Sequence, residues 1–165
     1  DADYTCPTAD YGWQNCLTVP RELTRDSDGV LCQNPARELQ ALRGEARALE
    51  AGSTSTVDPC FELEAHPQGD FRLVFAGGLE LCCTGCHVVL QFTDAALGSG
   101  RDRRTVELDA PCREIRVLGD CSSLEFFLNG GRYTLTTRYF PAPGPVSLAL
   151  ENTAATLWPL EGTNR

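Results

Sequence analysis

The sequence predicts an all-β fold, two antiparallel sheets packed as a sandwich with little helix. Three observations predict it. From Cys60 onward, short runs of alternating apolar and polar residues follow one another to the end of the chain. Gly, Pro and Asp break these runs at spacings of about ten residues, the rhythm of a sandwich rather than of strands alternating with helices. Finally, residues 120–141 contain a hairpin, two β-prone runs flanking Asn129-Gly130-Gly131, residues that accept the positive φ of a tight turn. A chain of 165 residues forms one domain. At that size roughly 70% of the unfolded surface can be buried, enough for a two-sheet core without staples.

The elements follow in order. Residues 1–16 are polar and turn-rich, with Tyr11 and Trp13 as anchors, and read as a linker; the sandwich is assigned to 17–165. Residues 17–23 read as extended, Arg25-Asp26-Ser27-Asp28-Gly29 as a turn, and 30–33 as the start of a strand. Residues 36–50 have helical composition, with Leu39, Leu42, Ala46 and Leu49 at helix-like spacing, so a short helical turn or loop is expected over 40–50. Strands are expected at 61–64, 71–73 and 79–81, and at 88–92 after a Thr84-Gly85 turn. Further strands are expected at 105–108, 114–118, 124–128, 133–139, 146–150 and 155–160. Pro141, Pro143 and Pro145 separate the hairpin from the last two strands, and Thr163-Asn164-Arg165 reads as a frayed end.

Within the hairpin, alternation puts Leu124, Phe126, Leu128, Tyr133, Leu135 and Thr137 on one face, a core face. Glu125, Phe127, Arg132, Thr134, Thr136 and Arg138 share the other, more mixed face. Glu125 and Arg138 lie near a diagonal cross-strand position and are expected to form an ion pair, which at a surface contributes about 0–1 kcal/mol.

Composition excludes several functions. A formal charge of −9 argues against nucleic acid, which needs clustered cations. No apolar run approaches the roughly 20 residues that span a bilayer. All the basic residues are Arg, which points to codon bias rather than function. The chain contains no Met, so Asp1 is expected to follow a cut or a processing step. Nine cysteines cannot all pair within one chain, and a domain of this size does not need staples. Free, mostly buried thiols in a reducing cytoplasm are favoured, with secretion as the alternative. The sharpest chemical candidate is Cys82-Cys83-Thr84-Gly85-Cys86-His87, since Cys83 and Cys86 have the spacing of a metal-ligand pair to which Cys82 or His87 could add. Structural zinc usually needs a second pair, and the other cysteines are scattered, so no metal and no cofactor is expected. A redox role is equally disfavoured, because the segment reads as strand and turn rather than a helix N-terminus.

The hairpin residues Asp120, Ser122, Ser123, Glu125, Phe127, Asn129 and Gly131, then Thr136, Arg138, Phe140 and Pro141, resemble the signature near the end of glycoside hydrolase family 32. Three other stretches resemble that family in the same order. They are Tyr11-Gly12-Trp13 with Leu17-Thr18-Val19-Pro20-Arg21-Glu22-Leu23, then Gln33-Asn34-Pro35-Ala36-Arg37-Glu38-Leu39 with Leu42-Arg43, and then Gly98-Ser99-Gly100-Arg101 with Arg103-Arg104-Thr105-Val106. Residues 44–95 match mostly by pattern. The resemblance implies the family's C-terminal β-sandwich, a concanavalin-like jelly roll, and a strand near 35–39. It also implies a five-bladed β-propeller partner on the N-terminal side, where the family's two catalytic carboxyl groups reside. None of the propeller motifs is present: there is no Arg-Asp-Pro, and Gly100-Arg101-Asp102-Arg103 does not replace it.

The chain is therefore expected to be a non-catalytic module of an enzyme cleaving β-fructofuranosyl linkages in sucrose, sucrose 6-phosphate or fructans. It would support the propeller, with oligomer contacts as a further role. Trp13, Arg21 and Glu22 are the interface candidates. Asp120 and Glu125 are five apart, so within one regular strand they would face opposite ways and could not flank one glycosidic bond. Two alternatives are carried: a fructan-binding module presenting Tyr139, Phe127 and Trp158, and a metal protein using the cysteine cluster.

Overall fold

The computed structural model describes residues 6–162. The strands are β1 (Arg21–Arg25), β2 (Leu31–Pro35), β3 (Arg47–Leu49), β4 (Thr54–Val57), β5 (Phe61–Ala65), β6 (Phe71–Phe75) and β7 (Leu79–Thr84). After β8 (His87–Phe92) comes a single helical turn, α1 (Ala95–Gly98), and then β9 (Arg103–Glu107) and β10 (Ile115–Asp120). The chain finishes with β11 (Ser123–Leu128), β12 (Tyr133–Arg138), β13 (Val146–Glu151) and β14 (Ala155–Pro159). One sheet has the order β12-β11-β10-β5-β14-β3 and the other β4-β13-β6-β7-β8-β9, while β1 and β2 form a separate hairpin. The strand pairings are antiparallel, so the two-sheet sandwich expected from alternation is the fold.

The core lies between the sheets. Phe61 and Leu63 of one sheet and Leu73, Phe75, Leu79 and Leu81 of the other are fully buried. Phe75 links the layers: its ring stacks on Phe61 at 6.2 Å and meets the edge of Phe126 at 5.7 Å. Each such side chain removed from water contributes about 1.5–3 kcal/mol. Gly119 pairs with Phe61 across β10 and β5, and a Cβ there would sit 2.4 Å from the Phe61 ring, so only glycine admits the phenylalanine.

Four local expectations change. Residues 40–50 do not hold one helical turn or loop. A 3-10 helix covers Arg37–Leu42, and β3 then joins the sheet beside β14. The strand near 35–39 is instead β2, which ends at Pro35. β4 was not expected, because Thr54, Ser55 and Thr56 show no apolar alternation; it adds to the sheet edge through β13. The β7–β8 turn is Gly85-Cys86, closed by the Thr84–His87 pair, one residue later than expected. As for the linker, its first five residues lie outside the described residues, as does the terminal tripeptide 163–165. Its remainder holds a 3-10 helix at Pro7–Tyr11 that buries Thr8, followed by irregular chain over 12–16.

Candidate functional site

The strand alternation fixes which side chains leave the core side of β10, β11 and β5, and those side chains build the site. The β11–β12 register pairs Phe126 with Leu135 and Glu125 with Thr136, so the two hairpin faces are as the alternation requires. The mixed face is not a solvent face, however. The β1–β2 hairpin and the segment before it lie on it, and both Glu125 and Phe127 are buried.

Arg21 is the centre of this docking. Its Nη2 donates to Glu125 Oε2 at 2.7 Å and to Thr136 at 3.0 Å, and its Nη1 donates to Gln33 at 2.9 Å. The guanidinium lies 5.2 Å from the centre of the Phe127 ring. The backbone N–H of Val19 donates to the other Glu125 oxygen at 2.7 Å. A buried carboxylate satisfied on both oxygens specifies one docking register. The expected Glu125–Arg138 pair does not form, because Arg21 arrives from above the sheet and occupies Glu125. Arg138, opposite Ser123, donates to the Ser122 carbonyl at 2.9 Å and hydroxyl at 3.0 Å. It also reaches the Gln14 carbonyl at 3.3 Å, and its guanidinium lies 5.0 Å from the Trp13 ring.

The turn after β11 locks the other end. Asn129, Gly130 and Gly131 all have positive φ, forming a longer turn than a two-residue one, since Leu128 pairs with Tyr133. Gly131 offers its carbonyl to the Gln33 N–H at 2.9 Å, and Gly130 accepts from Asn34 Nδ2 at 2.8 Å. A Cβ on Gly131 would lie 2.0 Å from the Gln33 oxygen. Arg132 then reaches Asp28 at 3.1 Å and Asp109 at 3.3 Å.

A second buried charge cluster sits further across the same sheet. Glu62 is fully buried and accepts from Arg43 at 2.7 and 2.8 Å and from Arg116. Burial pushes its carboxyl up, but hydrogen bonds and charge from the two arginines outweigh that and hold it below the usual carboxylate range. Arg43 also reaches Glu64 at 2.7 Å and covers the Trp158 ring at 4.0 Å.

These arrangements do not make a glycosidase centre. Such a centre needs two carboxyl groups, roughly 5–9 Å apart across a sugar, one of them an acid with a raised pKa. Glu62 is held down rather than up, and Glu125 is enclosed by its partners. Asp120 and Glu125 do not face opposite ways as expected. The chain reverses between them, so they belong to different strands and line one cavity of about 260 Å³, together with Leu17, Val19 and Leu118. Asp120 Oδ1 accepts the Cys121 N–H at 2.7 Å.

Of the interface candidates, Trp13 is 43% exposed and Glu22 is exposed, whereas Arg21 is spent internally. The aromatics considered for sugar binding form no platform: Tyr139 and Phe127 are buried and Trp158 lies under Arg43. The cysteine cluster does not converge. Cys82 and Cys83 point to opposite faces of β7, Cys83 is in the core, Cys86 is in the turn, and His87 pairs with Glu107. All nine thiols are free, as expected, but against expectation most are not buried: only Cys32, Cys83 and Cys112 are. What residue reading missed was the Arg43–Glu62–Arg116 cluster and a grouping of Cys60, Asp120 and Cys121. The outward glutamates of 61–64 signalled the first; nothing local signals the second, whose cysteines are 61 residues apart.

Comparisons with known proteins agree with this architecture. A sequence profile described as Glycosyl hydrolases family 32 C terminal matches residues 91–161. A sucrose-6-phosphate hydrolase of Salmonella typhimurium is 34% identical over 144 residues, 82% of this chain. A raffinose invertase of Escherichia coli is 29% identical over 163 residues. The chain spans only 28% and 34% of these two relatives. Among solved structures, a sucrose-6-phosphate hydrolase from Lactobacillus gasseri superposes with a TM-score of 0.83 over 96% of this chain and 36% of that one, at 21% identity. A β-fructofuranosidase from Bombyx mori gives 0.79 with the same coverage and identity.

Proposed function

The chain belongs to glycoside hydrolase family 32 as its C-terminal β-sandwich, and on that premise we propose that it is the non-catalytic companion of a catalytic β-propeller. The parent enzyme hydrolyses β-fructofuranosyl linkages, with sucrose 6-phosphate the favoured substrate in view of the relatives' names, in a bacterial cytoplasm. No helix among the described residues is long and apolar enough to cross a membrane.

One observation carries the supporting role. Leu23 and Leu31 share the hairpin face that carries Arg21 and Gln33, yet they are 62% and 55% exposed. The apolar face of the hairpin thus continues past the sheet it covers. Leu17 and Tyr11 are exposed nearby in sequence. Apolar side chains and Trp13 in one segment are what a partner domain takes up. The same face is open to a second copy of the protein.

Two measurements test this. The isolated chain should release no fructose from sucrose or sucrose 6-phosphate; turnover abolished by one substitution in it would refute the role. In the full-length protein, Leu23→Asp with Leu31→Asp should lower the melting temperature. The same pair should change the stability of the isolated chain by only about 0.5 kcal/mol or less. Equal effects in both would place these leucines in the sandwich's own packing.

A further inference from the structure

We propose that Cys60, Cys121 and Asp120 form a binding site for one thiolate-preferring divalent cation of the zinc class. The three residues come from two neighbouring strand ends. β5 pairs with β10 with Phe61 opposite Gly119, so the next pair outward is Cys60 and Asp120, and Cys121 opens the turn that follows. The fold holds this register from both sides: Gly119 accommodates the Phe61 ring, and the Leu160 N–H donates to the Cys60 carbonyl at 2.9 Å.

The ligand atoms have the spacing of a metal's coordination shell. Cys60 Sγ lies 4.0 Å from Cys121 Sγ and 3.4 Å from Asp120 Oδ1, and the three ligand atoms all fall within 4.8 Å of one another. Tetrahedral zinc, with bonds of about 2.3 Å to sulfur and about 2.1 Å to oxygen, has edges of about 3.8 Å between two sulfurs and about 3.6 Å between sulfur and oxygen. A disulfide would require the sulfurs at about 2.05 Å. Two thiolates and one carboxylate select a borderline-soft cation over magnesium or calcium, which take oxygen shells. The Cys121 N–H on Asp120 orients the carboxylate, as supporting hydrogen bonds do at metal sites.

Three protein ligands leave a fourth position open. Cys60 and Asp120 line the 260 Å³ cavity beneath the N-terminal segment, so water or an incoming ligand can reach it. Tyr139 is anchored to the same turn. It is buried, its hydroxyl has no hydrogen-bond partner, and its backbone N–H bonds Ser122 in the same turn. Metal entry forms two metal–sulfur bonds and releases both thiol protons to solvent.

The test uses purified protein, reduced and stripped with chelator, then titrated with cobalt(II) alone. One equivalent should produce thiolate-to-cobalt charge-transfer absorption, which one equivalent of zinc should bleach. Two of the nine thiols should lose reactivity towards an aromatic disulfide reagent while metal is bound. Cys121→Ser, in an exposed turn, should abolish the absorption without loss of fold, as should Cys60→Ser. Asp120→Asn should keep a thiolate band but weaken binding roughly tenfold or more. Exposed Cys16→Ser should change nothing. Folded protein that takes up cobalt without charge-transfer absorption would overturn the site. So would absorption that survives Cys121→Ser, absorption that is lost in Cys16→Ser, or a Cys60–Cys121 disulfide that persists under reductant and excludes the metal.

Discussion

Substituting Gly131 with alanine should detach the β1–β2 hairpin, and Gly130→Ala provides the control. Both glycines have positive φ, near +67° and +81°, so both substitutions incur the left-handed penalty of about 1–2 kcal/mol. At Gly130 nothing lies within 4 Å of the new Cβ, and the cost ends there. At Gly131 the Cβ falls 2.0 Å from the Gln33 oxygen and 2.6 Å from its carbonyl carbon, both backbone atoms. β2 must therefore move away from the turn. Moving it breaks the Gln33–Gly131 and Asn34–Gly130 hydrogen bonds, at about 0.5–1.5 kcal/mol each. It also strains the Arg21 contacts to Glu125. The expected total for Gly131→Ala is about 3–5 kcal/mol, against about 1–2 kcal/mol for Gly130→Ala. For a chain of this size each kcal/mol lowers the melting temperature by about 2–4 °C, so roughly 10 °C should separate wild type from Gly131→Ala. Urea unfolding followed by Trp fluorescence measures this, since Trp13 and Trp158 lie beside Arg138 and Arg43 of the covered face. Equal losses in the two variants, within about 0.5 kcal/mol, would refute the reasoning, because only the collision with Gln33 distinguishes them.

Two other expectations concern ionisation. Glu62 is held below the usual carboxylate range, so its contribution to stability is complete above the ordinary carboxylate pKa of about 4.3 and fades as pH falls through its lowered folded value. Glu62→Gln should flatten that acid limb and cost about 3–5 kcal/mol at neutral pH, because Arg43 and Arg116 lose their buried counter-charge; an unchanged acid limb in the urea midpoint against pH would count against it. Cys112, pushed up to about 12 by burial and by neighbouring Cys83, should resist iodoacetamide at pH 8 in the native protein and react after unfolding. Exposed Cys16 should react at once. Mass spectrometry resolves the sites, and early labelling of Cys112 would show that the core end opens.

Local pattern was enough for most strands, because sheet faces follow a period of two and the core needs one of them apolar. It failed where that signal is weak. β3 and β4 are short edge strands without apolar alternation, and each forms because a neighbour offers free backbone groups. The spacing of Leu39, Leu42, Ala46 and Leu49 imitated a helix. The real segment divides at Arg43, where a guanidinium is drawn to Glu62 and Glu64. The Glu125–Arg138 assignment had the right face but the wrong partner. Cross-strand reasoning sees two neighbouring strands and cannot see a third layer laid over them.

From its residues alone the chain determined its sandwich, its hairpin faces and its kinship, since each depends on contacts close in sequence or on motifs read in order. Tertiary structure decided which charges pair and which thiols meet. Arg21 with Glu125, Arg43 with Glu62, and Cys60 with Cys121 join strands far apart along the chain. Buried charge selects whichever partner the packed layers bring within reach, and no local pattern carries that information.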